Sequence, residues 1–242
     1  MIATGHYARI GKSAKSKSSK LGQLQTAIDQ NKDQTYFLYR ITEDALSKTI
    51  FPLGEMTKPE VRKKAAELGL VTAEKKDSVG ICFVGEIGIK EFLKNFVMTE
   101  PGAIVEKSSG KIVGEHDGAL YYTIGQRHGL NVGGGMPYYV VGKDMSKNEV
   151  YVSTDLNDPD LWHRQVKIIN AHWINGLDLS SQISDLRVRT RHRGPLTSVT
   201  SIEEQADGSH KLTLKDEIRA LAPGQSAVLY QNEVCLGGGI IV

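Results

Sequence analysis

The chain has 242 residues and a formal net charge of +2, with 40% hydrophobic and 24% charged residues. That is enough chain for one large domain or two to three small ones, and the near-neutral charge does not announce a nucleic-acid binder, so such a role would rest on where the basic residues sit. No apolar run approaches the roughly 18 residues of a membrane helix, and "MIATGHYARI" lacks the charged-then-apolar order of a secretory signal, so a cytoplasmic protein is expected.

"MIATGHY" reads as the end of a strand running into a Gly-His turn. In open α/β sheets ligands bind beyond the carboxyl ends of strands, where such a turn lies; a plain N-terminal strand is the other reading. "GKSAKSKSSK", residues 11–20, has no apolar periodicity and reads as a solvated loop. From Asp29 the texture turns helical, first around "KDQTYFLYRI" and then in "TEDALSKTIF". "TKPEVRKKAAELG" carries the strongest helix signals. Thr57 with Glu60 fits a capping box, Pro59 a first turn and Gly69 the C-terminal stop. Val61, Ala65 and Leu68 then share one face. "IGIKEFLKNFV", residues 87–97, places Ile89, Phe92, Leu93 and Phe96 on another apolar face.

After "EPG" the pattern changes to short strands. Ala103–Glu106 and Lys111–Val113 flank a Ser-Ser-Gly turn, and "YYVVGKDMSKNEVYVS" reads as a second hairpin turning near residues 146–148. From about Gln165 onward, "VKIINAHWI", "LRVRTRHR", "TSVTSI", "HKLTLK" and "SAVLYQNEVCLGGGII" read as five strands of a small β-barrel. The expected fold is multidomain α+β: a partial α/β unit over 1–97, a central β-rich module over 98–162 and a C-terminal β-barrel over 163–242.

Within the barrel, "LRVRTRHR" stands out. Strand alternation puts Arg187, Arg189, Arg191 and Arg193 on one side at about 6.6 Å intervals. Such a row suits phosphate, which Arg grips in a bidentate fork; a solvated edge that discourages aggregation is the alternative. "GLNVGGGMP" and "LGGGII" lack the GxxxxGK[ST] spacing of a nucleotide loop and read as turns or bulges. "YTIGQRHGL", residues 122–130, is either a loop presenting Gln126, Arg127 and His128 or a hairpin connection.

The two cysteines, Cys82 and Cys235, lie too far apart in sequence to form a CxxC pair, and the seven histidines show no HExxH, so no metal site is expected. Cys235 sits at an alternating strand position and reads as core. Cys82, in "DSVGICFVGE", follows Lys75 and Lys76, which would favour its thiolate. A buried hydrophobe is the competing reading.

Several of these segments resemble one family, the tRNA-specific 2-thiouridylases. They are "ATGHYARI", "NKDQTYFLY", "FPLGEMTKPEVRKKAAELGL", "KKDSVGICFVGE", "YYTIGQRHGL", "PYYVVGKD" and "APGQSAVLYQNEVCLGGGII", in the family's order over nearly the whole chain. The resemblance implies an enzyme of the ATP-pyrophosphatase type (adenine-nucleotide hydrolase-like in its α/β domain). It would use ATP, with Mg2+, to adenylate the 2-oxygen of the wobble uridine and then exchange that oxygen for sulfur. It implies that Cys82 carries the sulfur as a persulfide, supplied by a cysteine desulfurase or a sulfur-relay protein. It further implies Gly5 in the ATP site, and His6, Lys32, Asp33, Gln34, Arg191, His192 and Gln225 in contact with tRNA. The family has a tyrosine where this chain has His192.

The family's glycine- and serine-rich pyrophosphate loop, an aspartate and a first catalytic cysteine precede the "ATGHY" stretch and have no match in these residues. A chain equivalent to the C-terminal two-thirds of the enzyme, inactive alone and with apolar surface exposed, is therefore expected. Two other readings stay open: a non-catalytic tRNA-binding barrel module, and a sulfur-relay protein working with a separate ATP domain.

Overall fold

The computed structural model of the chain describes residues 1–12, 22–75, 89–130, 132–133, 135–176 and 184–242. Cys82 lies outside the described residues, as does most of the Ser/Lys segment. The first elements are β1 (Ile2–Ala3), β2 (Ala8–Lys12), β3 (Gly22–Thr26), α1 (Thr35–Leu38), α2 (Glu43–Ser47), β4 (Thr49–Ile50) and α3 (Lys58–Glu67). There follow α4 (Ile89–Lys94), β5 (Gly102–Glu106), β6 (Ile112–His116), β7 (Tyr139–Asp144) and β8 (Glu149–Ser153). The last strands are β9 (Trp162–Trp173), β10 (Leu186–Arg189), β11 (Thr197–Glu204), β12 (His210–Arg219), β13 (Ser226–Gln231) and β14 (Val234–Ile241).

The helix signals in the sequence are realised locally. Thr42 caps α2 by accepting the Ala45 N–H, with Glu43 and Asp44 in the first turn where the helix dipole favours acids. At α3 the Glu60 carboxylate accepts both the backbone N–H and the hydroxyl of Thr57, each at 2.7 Å. Those bonds, the backbone one foremost, hold Glu60 below the ordinary carboxyl range. Gly69 ends the helix in the left-handed region, φ +68°. The apolar face expected on α3 is only lightly covered: Val61 and Ala65 are half-buried, while Leu68 is 67% exposed.

Contacts group the chain into two compact units. The first comprises residues 1–75, 164–216 and 223–242. Its centre is a closed ring of six strands in the order β13-β10-β11-β12-β9-β14, closed by β13–β14 pairing, with the β2–β3 ribbon joined to β14. Six strands replace the expected five because "SAVLYQNEVCLGGGII" is a hairpin. It turns at Asn232, which has φ 52°. The glycines that follow permit the closure: a Cβ on Gly237 would collide with the His172 carbonyl of β9, and one on Gly238 with the Ala227 carbonyl of β13. β14 is irregular there, with register shifts in its pairing to both neighbours.

β13 shows why the barrel also carries the helical segment. Its residues Ala227, Val228, Leu229 and Tyr230 are all buried, as in a strand covered on both faces. Val228 and Tyr230 join Tyr36 and Tyr39 of the α1 segment, Leu46 of α2 and Cys235 of β14 in one cluster, while Ala227 and Leu229 point the opposite way. Residues 1–75 therefore share a core with the barrel. Near the chain start, β1 and β4 form a short parallel pair, and Met1, Ile2 and Ile50 are exposed.

The second unit comprises residues 76–163 and 217–222. Both expected hairpins are present, and parallel β5–β8 pairing joins them in a four-stranded sheet of order β6-β5-β8-β7. Ile104, Val140, Val150 and Val152 pack with Ala119, Tyr122 and Leu130 in its core. In the "YTIGQRHGL" loop Gln126 folds back onto its own loop, accepting the Thr123 N–H and donating to the His128 carbonyl. Arg127 and His128 remain exposed.

Candidate nucleic-acid interface

The predicted contact residues of the first unit converge on α1. The helix is entered through Gln34, whose side-chain Oε1 accepts the Tyr7 N–H at 3.0 Å while its own N–H donates to the Tyr7 carbonyl at 2.9 Å. This two-point clasp sets the Gly5–His6 turn beside residues 32–34. His6 is half-buried, with Nδ1 2.8 Å from the Thr4 hydroxyl. Gly5 is exposed, and the nearest atom to a Cβ built on it would be Leu53 Cδ1 at 3.9 Å. Gly5 also lies just past the carboxyl end of β1, whose pairing with β4 is parallel. That is where an open α/β sheet presents backbone to a ligand.

Asp33 points inward and is 2% exposed. Its carboxylate accepts from Arg189 Nη1 at 3.2 Å, from the Thr35 hydroxyl at 2.8 Å and from the Ala27 N–H at 3.1 Å. Thr35 Oγ1 also lies 3.2 Å from the Tyr230 hydroxyl, and the Arg189 guanidinium sits over the Tyr230 ring at 5.3 Å. A buried charge persists only when paired and hydrogen-bonded; the Asp33 carboxylate meets that condition and ties the 32–34 segment to β10 and β13, while Arg189 Nε is buried with no partner among the described residues.

The row of four arginines expected along one strand face is therefore not formed. β10 ends at Arg189, which is 9% exposed, and the chain then turns, with Gly194 N–H bonded to the Arg191 carbonyl and Arg193 at φ 59°. Arg187 donates to the Asn232 carbonyl. Arg191 and Arg193 are exposed on the turn, flanking His192. The His192 ring packs on Phe37 of α1, centroids 4.5 Å apart and planes inclined by 40°, and lies 6.1 Å from Tyr36. Burial first, and then the charges of Arg193 and Arg189, hold its pKa below the ordinary histidine value.

Gln225 comes to the same helix by another route. It is exposed at the start of β13 and immediately precedes Ser226. Ser226 accepts the Tyr36 hydroxyl on its carbonyl at 2.8 Å and donates its own hydroxyl to Tyr39 at 3.2 Å. The structure thus gathers Gly5, His6, Lys32, Gln34, Arg191, His192 and Gln225 around α1 and places Asp33 beneath them. Lys32 is half-buried and Arg40, at the far end of α1, is exposed.

One side chain at this face had no role assigned from sequence: Phe37, which is 59% exposed; Arg189 had been placed in the arginine row rather than in the core. The available signal for Phe37 was its place in an aromatic run directly after "KDQ". For Arg189 it was the need of a buried guanidinium for an acid elsewhere. Cys235 is 1% exposed with its thiol pushed up to about 12 by burial, the core position expected. No group of three potential metal ligands occurs among the described residues.

Three consecutive family models match the chain. They are the tRNA methyl transferase HUP domain over residues 1–86, the tRNA methyl transferase PRC-barrel domain over 90–154 and the aminomethyltransferase β-barrel domain over 163–241. Among curated proteins, one from Mesoplasma florum named tRNA-specific 2-thiouridylase MnmA is 44% identical over 246 residues, covering 99% of this chain and 64% of the relative. The Bacillus subtilis protein of that name is 43% identical over 241 residues, covering 99% of this chain and 63% of the relative. In Geobacillus kaustophilus, tRNA-specific 2-thiouridylase MnmA 1 is 45% identical over 243 residues, again 99% of this chain and 64% of the relative. The chain spans a little under two thirds of the length of these relatives. With three models of one family in order along it and this level of identity throughout, the chain belongs to the family of the tRNA-specific 2-thiouridylases.

Proposed function

We propose that this chain serves ATP-dependent 2-thiolation of the wobble uridine of tRNA, with tRNA seated on the face around α1 and sulfur carried as a persulfide on Cys82. The observation that carries the reading is the convergence of Gln34, Arg191 with His192, and Gln225 on one short helix from three separate stretches of sequence. These are positions the family resemblance assigns to tRNA. The family models speak of methyl transfer and the relatives of thiolation; a cysteine in the "GICFVGE" stretch favours the second, because it offers an atom on which sulfur can travel.

ATP, with Mg2+, would supply the adenylyl group that turns the uridine 2-oxygen into a leaving group. The exposed backbone at Gly5, beyond the carboxyl end of β1, suits contact with the adenine nucleotide. The terminal persulfide sulfur then attacks C2 and AMP leaves. A second thiol attacks the Cys82 sulfur and breaks the S–S bond, so the sulfur stays on the base and the two cysteines become a disulfide. A thiol reductant resets them. Cys235 is unsuited to that second part, being buried and held as a thiol by its surroundings. These 242 residues assayed by themselves are accordingly expected not to complete thiolation, while still binding tRNA and accepting sulfur from a cysteine desulfurase or sulfur-relay protein. The division into an α/β part (1–97), a central module (98–162) and a tRNA-binding barrel (163–242) belongs to the same reading.

The test is to incubate the chain with a cysteine desulfurase and radiolabelled cysteine, then follow protein-bound sulfur released by dithiothreitol. Label that appears on the wild type and on Cys235→Ala but is absent from Cys82→Ser supports the reading. Equal labelling of Cys82→Ser sinks the persulfide role.

A further inference from the structure

We infer that Phe37 is the stacking surface for one unpaired base of the bound RNA, with His192 as the ring that braces it from behind; this rests on the proposed function. Phe37 is a large apolar side chain left 59% exposed on a helix whose neighbouring aromatics, Tyr36 and Tyr39, are 5% and 6% exposed. Two of its sides are occupied. Tyr36 meets it edge-on at 5.5 Å and 84°, and His192 lies against it at 4.5 Å. Both supports are themselves fixed: Tyr36 through its hydroxyl bond to Ser226, and His192 through the turn that follows the buried Arg189. The ring is thus held in place with part of its surface uncovered.

His192 does not itself suit the outward stacking role. Its ring already packs on Phe37, and its buried Nδ1 has no hydrogen-bond partner among the described residues. A ring packed in this way positions its neighbour rather than reading a base.

The chemistry around the exposed ring selects the ligand. Arg191 and Arg193 are exposed on either side of His192, and Arg40 is exposed one helical turn beyond Phe37. Asp33, the acid beneath this face, is buried and paired with Arg189. An aromatic face bordered by guanidinium groups that form no ion pair among the described residues is the arrangement that binds single-stranded nucleic acid. The base stacks while the cations hold the flanking phosphates. A covering protein segment would need apolar partners around Phe37, whereas its surroundings are cationic.

The probe is an anticodon stem-loop RNA, with a fully paired duplex of equal length as control, titrated against the whole chain. Phe37→Leu should weaken stem-loop binding by about tenfold, leave the salt dependence of the remaining affinity unchanged and leave the melting temperature unchanged. Phe37→Trp should bind like the wild type, with its emission quenched on addition of the stem-loop and not of the duplex. If Phe37→Leu binds the stem-loop as tightly as the wild type while Arg191→Ala binds it more weakly, tRNA binding at this face stands and the stacking role falls. If neither the wild type nor any variant binds the stem-loop, the proposed function and the stacking role fall together.

Discussion

At the scale of the residue, the Asp33–Arg189 pair decides how the candidate interface is built. Both groups are out of water, and each is the charge that makes burial of the other tolerable. Removing one partner leaves the other buried without compensation, which costs about 3–5 kcal/mol. Asp33→Ala should therefore lower the urea-unfolding free energy by about that amount. Adding Arg189→Met to it should recover part of the loss, whereas purely additive losses would mean that the two side chains do not act as a unit. His192 supplies a second test. Its folded-state pKa is depressed by burial and by Arg193 and Arg189, so the unfolded chain takes up a proton first as pH falls. The stability contribution is fully present above the unfolded value of about 6.5 and declines below it until the folded pKa is reached. A His192→Gln variant should show a shallower loss of stability between pH 6.5 and 5. An identical slope would contradict the desolvated placement of the ring.

The same residues show what sequence could reveal. Alternation along "LRVRTRHR" set Arg189 on the same side as Arg187, in a row facing phosphate or solvent. The strand pattern carried no information that Asp33, 156 positions away, would draw that guanidinium inward. The residues gathered around α1 were named one by one through family resemblance, with nothing in the sequence to say that they would come together. What could not be read was which of those residues reach the surface and which, like Asp33, build the support.

At the scale of the element, local chemistry was the more legible part. The α3 signals (Thr57, Glu60, Pro59 and Gly69) act through neighbours within the helix, so sequence alone specifies them. The apolar stripe of the same helix depended on a partner surface, and Leu68 remains exposed. The β13–β14 turn was missed because it lacks the Asn-Gly or Asp-Gly pair of the strongest hairpin signal; only Asn232 adopts a positive φ, and Glu233 follows it. Asn232→Val should cost about 1–2 kcal/mol, since a β-branched residue is poorly accommodated in the left-handed region. Asn232→Gly should be close to neutral. Thermal melts separate these outcomes, and equal stability of the two variants would show that the turn is not constrained as described.

At the scale of the whole molecule, a net charge of +2 conceals an uneven distribution. The face around α1 presents Lys32, Arg40, Arg191 and Arg193, while Asp33 beneath it is already neutralised by Arg189. Phosphate contacts release condensed counterions, so each contact contributes roughly −0.9 for duplex and −0.7 for single-stranded RNA-like backbone to the slope of log affinity against log salt. That slope, measured for tRNA binding to the wild type, to Arg191→Ala and to Arg191→Ala/Arg193→Ala, decides whether this face holds tRNA. Successive flattening by about one phosphate's contribution per arginine, with folding intact, is the result expected if this face holds tRNA. An unchanged slope and affinity in the double variant would contradict it.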